Sequence, residues 1–230
     1  MNPQEIQNAA NIMREAWSLV HGRAPSEGEL LYSLVVARLE SSFGRGWKGA
    51  MADSNNWGAV QCGQAAIAQG AQCISWQDTH PDGRKYDVGF RKYASPVEGA
   101  ADVVRNLTKQ RPSVWAVMRA KGPLADFARA MRVERYYGGF CPEATKAGGK
   151  FSYGKPKSPA EEACHEEAIR GYVRGTQKSL VEIASALGMT PPPVEGLALT
   201  VSSSSAAGSW WPFALAAAAG VGLAVAWRRA

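Results

Sequence analysis

The chain has 230 residues, 46% hydrophobic and 20% charged, a balance that excludes an intrinsically disordered protein and leaves room for one core and little more. Lys and Arg number 26 against 20 Asp and Glu, and the net charge of +6 favours a polyanionic partner without choosing among nucleic acid, anionic lipid and an acidic wall polymer. A mean hydropathy of -0.23 excludes a polytopic membrane protein.

In chain order, Pro3 to Val20 places Ile6, Ala9, Ala10, Met13 and Trp17 at helical spacing and predicts a first amphipathic helix. Ser26-Glu27-Gly28-Glu29 is a capping box for a second helix, whose Leu31, Leu34, Val35 and Leu39 make one apolar stripe and which runs out at Ser41 to Gly44. A Gly-, Asn- and Trp-rich loop follows, then a short helix within Gln64 to Gln72. Ile74 and Trp76, then Tyr86, Val88 and Phe90, alternate with polar residues around the turn signal His80-Pro81-Asp82-Gly83 and predict a β-hairpin. Ser95-Pro96-Val97-Glu98 is another capping box, helices begin near Pro112 and Pro123, and Ser158 caps a long last helix, about 159–187. The fold class is mainly α (α+β): a bundle of six or seven helices with one inserted hairpin.

The C-terminal part differs in kind. The domain is expected over 1–190, with a Pro/Ser-rich tether over 191–209 and an uncharged stretch 210–227, bounded by Trp210 and Trp227, that reads as a transmembrane helix. Arg228 and Arg229 in the basic tail 228–230 place the C-terminus on the cytoplasmic side and the domain across the membrane. Residues 1–5 show no basic or apolar region of a secretory signal peptide. Cys62, Cys73, Cys141 and Cys164 fall into two sequence-local pairs, which suits two disulfides in an oxidising compartment. No metal is expected, since His165-Glu166 would need a second His at position 169, which is Ile169. The scattered basic residues match no nucleic-acid module, and Lys146, Lys150, Lys155 and Lys157 read as a solvated loop.

Glu40 stands out as the candidate for chemistry, against the plainer reading of a solvated surface Glu. It stands near the C-terminal end of its helix, where the macrodipole disfavours a negative side chain, and partial burial against Phe43 would penalise the charge further. A carboxylic acid kept protonated near neutral pH can protonate the leaving oxygen of a glycosidic bond. The loop Asp53 to Gln61 adds side-chain amides suited to N-acetyl and hydroxyl groups, and Trp57 as a platform for a sugar face. Trp17, Trp76, Phe90 and Trp115 read as core.

These residues resemble a family. Glu40-Ser41-Ser42-Phe43-Gly44, Asn55 to Gln61, Phe90 to Gly99, and Phe127-Ala128 through Arg135-Tyr136-Tyr137-Gly138-Gly139 are similar, in order, to segments of lysozyme-like peptidoglycan hydrolases, the flagellar-type N-acetylglucosaminidases and lytic transglycosylases. The resemblance implies a lysozyme-like fold with Glu40 as general acid. It implies a cleft lined by Ser41, Asn55, Asn56, Trp57 and Gln61, and Tyr93 with Tyr136 or Tyr137 steadying the sugar or the transition state. A hydrolase also needs a second carboxylate, for which Asp53, Asp78, Asp82 and Asp87 are candidates and Asp87 is preferred, whereas a transglycosylase needs none. No cofactor is implied, and the partner is the glycan strand of peptidoglycan. The alternative is a non-catalytic wall-binding or structural envelope or virion protein on the same fold. A cysteine peptidase using Cys62 or Cys141 with His80 or His165 has no support in the spacing.

Overall fold

The computed structural model describes residues 2–79, 85–137, 155–156 and 158–194. Helix α1 (Pro3–His21) is started by Asn2, whose Oδ1 accepts from the Gln4 N–H while Glu5 accepts from the Asn2 N–H, and it is stopped by Gly22 in the left-handed region at φ 67°. Its inward face is the predicted one, with Ala16 added.

Helix α2 (Glu27–Ser41) begins at the expected Ser26 capping box, but the single stripe is corrected: every residue from Gly28 to Ala37 is buried, and Leu39 only partly so. The helix is the axis of the bundle, packed by α1 and by the later helices over Pro96–Thr108, Pro112–Arg119 and Pro159–Ala186. Its polar members can sit inside because each has partners. The Trp17 indole donates to Ser33 Oγ at 3.2 Å. Burial alone would raise the Glu29 carboxyl, yet hydrogen bonds from Arg23, the Ser26 N–H and the Trp115 indole outweigh it and bring Glu29 down to about 2.

A 3-10 turn (Gly49–Met51) and a short helix α3 (Gln64–Ala68) precede the antiparallel hairpin β1 (Gln72–Thr79) and β2 (Lys85–Lys92). The register pairs Ile74 with Phe90 and Trp76 with Val88, so the predicted alternation holds and this face closes on Trp47 and Met51 as a second, small core. The turn residues His80 to Gly83 lie outside the described residues. The loop after α2 runs along β2 like a third strand: Arg91 N–H donates to Val60 O at 3.0 Å, Cys62 N–H to Gly89 O at 2.7 Å and Tyr93 N–H to Ser54 O at 2.9 Å. The Cys62–Cys73 disulfide, Cα atoms 5.9 Å apart, closes this layer around α3. Cys164 is also disulfide-bonded, and Cys141 lies outside the described residues.

Helices α4 (Pro96–Thr108), α5 (Pro112–Arg119), α6 (Leu124–Val133) and α7 (Pro159–Ala186) complete the main core. Ser95 and Ser158 cap α4 and α7 as predicted, although Glu98 reaches back to the Ala94 N–H instead of completing a box with Ser95. The proline run expected to open a tether is docked: Pro193 O accepts from Leu124 N–H at 2.8 Å, and Val194 packs on the main core. The mainly helical α+β class with one hairpin stands, but its membrane span is corrected. Among the described residues no helix is long and apolar enough to cross a membrane, and 210–227, where the span was expected, lies outside them.

Gly99 sets the distance between α4 and the loop after α2, because a Cβ there would stand 1.8 Å from the Asn55 carbonyl oxygen. A Gly99→Ala variant should lose about 3 kcal/mol through forced separation of two backbones. Urea denaturation reads this as a lower midpoint at constant slope, and an unchanged midpoint would refute the close approach.

Candidate active site

Glu40 lies in the last turn of α2, and the chain ends that helix abruptly behind it. Ser42, Phe43 and Gly44 are successively left-handed, at φ 50°, 61° and 77°. Two of these are not glycine and cost about 1–2 kcal/mol each, so the turn must be held. Ser41 holds it: its hydroxyl donates to Trp57 O at 2.8 Å and accepts from Gly44 N–H at 2.7 Å. Phe43 is buried against Trp57, ring centroids 5.7 Å apart.

The Glu40 carboxyl is then only partly exposed, and burial lifts it to about 7, against the opposing pull of a hydrogen bond with Tyr136. Burial, with the Glu40 charge added, likewise pushes the Tyr136 phenol well above its ordinary value. The Arg111 guanidinium lies over the Tyr136 ring at 5.0 Å. Arg111 is itself buried and donates to the backbone O of Asn106 at 2.8 Å and to Asn106 Oδ1. Tyr136, Asn106, Val103, Gly58 and Val60 line a narrow, closely packed crevice.

The structure brings Glu40 and Tyr136 together and gives most other expected site residues internal work. Asn56 is fully buried: its Nδ2 donates to Val60 O and Arg91 O, both at 3.0 Å, and its Oδ1 accepts from Val60 N–H at 2.9 Å. Asn55, left-handed at φ 51°, donates to Tyr93 O at 3.0 Å. Trp57 is corrected from sugar platform to core, being 3% exposed. Gln61 forms a bridge with Phe90. Tyr93 donates its phenolic proton to Asp102 Oδ2 at 2.6 Å, and Tyr137 donates to Ala128 O at 2.9 Å while stacking on Tyr172.

Asp87 is exposed, paired in register with Gln77 on the strand face turned away from Val88 and Phe90, and among the described residues no hydrogen bond or ion pair joins it to Glu40. Asp53 is exposed in its loop; the Asp78 side chain and Asp82 lie outside the described residues, as do Lys146, Lys150 and Lys157. Asn106 and Arg111 were not expected from sequence. Their one signal is position, since Asn106 stands three residues after Val103 and so flanks the apolar face of α4.

No family model matches the chain, and no curated protein sequence matches it. Two solved structures are similar. One is the glycoside hydrolase domain from Salmonella typhimurium FlgJ, at 18% identity and a TM-score of 0.41, covering 82% of this chain and 99% of that one. The other is the catalytic domain of the autolysin Auto from Listeria monocytogenes, at 14% identity and a TM-score of 0.42, covering 80% of this chain and 89% of that one. Both descriptions are in keeping with the resemblance carried by the motifs. At these scores the likeness carries no argument about chemistry, which rests on the residues themselves.

The Glu40 site fixes the sign of a pH effect. Its folded-state value is raised from 4.5 to about 7, so the stability that goes with the neutral carboxyl is fully present below about 4.5 and is lost as pH rises through about 7. Glu40→Gln should match the wild type near pH 4 and exceed it above pH 8 by on the order of 2 kcal/mol, a figure discounted for partial exposure. Denaturation curves from pH 4 to pH 8.5 check this, and a pH-independent difference would mean the carboxyl is not buried as described.

Proposed function

We propose that this chain cleaves the glycan strand of peptidoglycan, with Glu40 as the general acid. The observation that carries the reading is a carboxyl held up to about 7 at the end of a buried helix, hydrogen-bonded to a phenol that lines a crevice. Such a group keeps a substantial protonated fraction at neutral pH, where an ordinary carboxyl has almost none, and can deliver its proton to the glycosidic oxygen as the bond breaks. Tyr136 would hold the carboxyl in place and then stabilise the carboxylate left behind. The cation-like sugar carbon is closed either by water or by a hydroxyl of the substrate itself. We assign no second carboxylate to Asp87. The net charge of +6 supports an acidic polymer as partner. The Cys62–Cys73 disulfide supports placing the domain outside a reducing cytoplasm.

The rival reading is a wall-binding protein without turnover, favoured by the lack of a second carboxylate beside Glu40 among the described residues. Incubating the full chain with purified sacculi separates the two. The proposal expects soluble muropeptides, a rate that falls as pH rises above about 7, and a loss of at least about 100-fold in Glu40→Gln. Binding without release, or release untouched by Glu40→Gln, would establish the rival. The new ends name the reaction: anhydro-muramic ends for a transglycosylase, reducing glucosamine ends for a glucosaminidase.

A further inference from the structure

A second concavity, of about 210 Å³, lies between α1 and the segment that follows α2, and it shares no residue with the closely packed crevice at Tyr136. Ala9 and Ile12 of α1 line it together with Phe43 and Trp57, so its surface is largely apolar. Phe43 belongs to the left-handed turn behind Glu40, and Trp57 to the loop that the Ser41 hydroxyl ties to that turn. The cavity is thus built on the framework that ends α2.

Two polar side chains complete the lining. The Arg45 guanidinium is half exposed and gives one N–H to Glu5 at 2.9 Å, which leaves its other donors for a second anion. Asn55 spends its Nδ2 on Tyr93 O at 3.0 Å, and its Oδ1 accepts from no group among the described residues. A ligand that matches all three features carries a small alkyl group, a carboxylate and an N–H donor. Those are the parts of the carboxyl-terminal residue of a peptide. At about 210 Å³ the cavity is smaller than the ~300–1,000 Å³ of pockets that enclose a drug-sized ligand, so it takes one or two residues with methyl-sized side chains and not a sugar chain.

We propose that this cavity binds the alanine-terminated peptide stem of the wall polymer, with the methyl groups against Ile12, Phe43 and Trp57, the carboxylate on Arg45 and the terminal amide N–H on Asn55 Oδ1. This rests on the peptidoglycan reading and adds the peptide part of the polymer to the glycan part. Glu5 competes for Arg45 only weakly, because an exposed ion pair gains little over water and exchanges one carboxylate for another.

The test is proton–nitrogen NMR of the full chain, read at the Trp57 indole N–H, during titration with N-acetyl-D-alanyl-D-alanine and with the same dipeptide as its carboxamide. The acid should move this signal saturably, with a Kd on the order of 1 mM, and the carboxamide should bind about tenfold more weakly. Arg45→Gln should bring the acid down to the level of the carboxamide. Glu5→Gln can still cap α1 but frees Arg45, and it should tighten the acid by about threefold. Ala52→Phe, at the exposed rim, should block both ligands, and thermal melting confirms that the variants fold. No shift at Trp57, equal binding of acid and carboxamide, binding indifferent to Arg45→Gln, or tighter binding of the L,L-dipeptide would overturn the proposal. Sacculus cleavage that depends on Glu40, without dipeptide binding, would leave the function standing and remove this pocket. Dipeptide binding without any cleavage would do the reverse.

Discussion

Asn56 carries a primary amide into the interior and saturates it there. One oxygen and two N–H groups bind the backbone of Val60 and Arg91, and the Asn56 carbonyl receives the Trp47 indole at 2.8 Å. These bonds fuse the loop after α2 to strand β2, so that an irregular segment is held as firmly as a strand. Truncating the side chain would remove three hydrogen bonds to the backbone of Val60 and Arg91, each contributing about 0.5–1.5 kcal/mol, and would loosen the loop from the hairpin. Everything at the site depends on that junction. Gly58 and Val60 form one wall of the crevice because Asn56 pins them opposite Val103 and Asn106 of α4, and Ser41 can lock the end of α2 only because Trp57 O is where this loop puts it.

On the other wall a short polar relay runs through the protein: Glu40 to the Tyr136 phenol, the Tyr136 ring to Arg111, and Arg111 to Asn106. An arginine in contact with a carboxyl would hold it ionised. Here the guanidinium lies against the face of an aromatic ring and directs its hydrogen bonds to an amide, so its contact with Glu40 is indirect and burial dominates the carboxyl. The Tyr136 phenol adds the hydrogen bond that opposes the effect of burial.

The sequence was legible where the signal is local. Ser26, Ser95 and Ser158 cap their helices because a hydroxyl before a helical run meets the free N–H groups, whatever the tertiary context. The hairpin follows from its period of two, and that same period, with Tyr86, Val88 and Phe90 on one face, already turns Asp87 to the other. The end of α2 just after Glu40 was legible in the run from Ser41 to Gly44. What escaped is decided by distant partners. An Asn in a Gly-rich loop reads alike whether its amide faces a ligand, as expected for Asn56, or the backbone of a strand 35 residues on, as found. Trp57 beside glycine suggests exposure, yet Phe43 covers it. Asn106 looks like any polar residue at the margin of a helix until Arg111 is seen to donate to both of its oxygens.

Helix α7 has 28 residues, about 42 Å of helix, and packs along α1, α2 and α6. Its end is tied to the start of the chain, since the Gln7 amide donates to Ala186 O across a separation of 179 residues. Pro193 then ties the following segment back to the start of α6. Few contacts in a helical protein span so much sequence, and loops this long close slowly. As the polypeptide leaves the ribosome, α1 and α2 therefore emerge with the apolar surface that α7 will cover still bare. Until residue 194 is out, the order of synthesis keeps the bundle open, and the packing around Glu40 is among the last features the chain acquires.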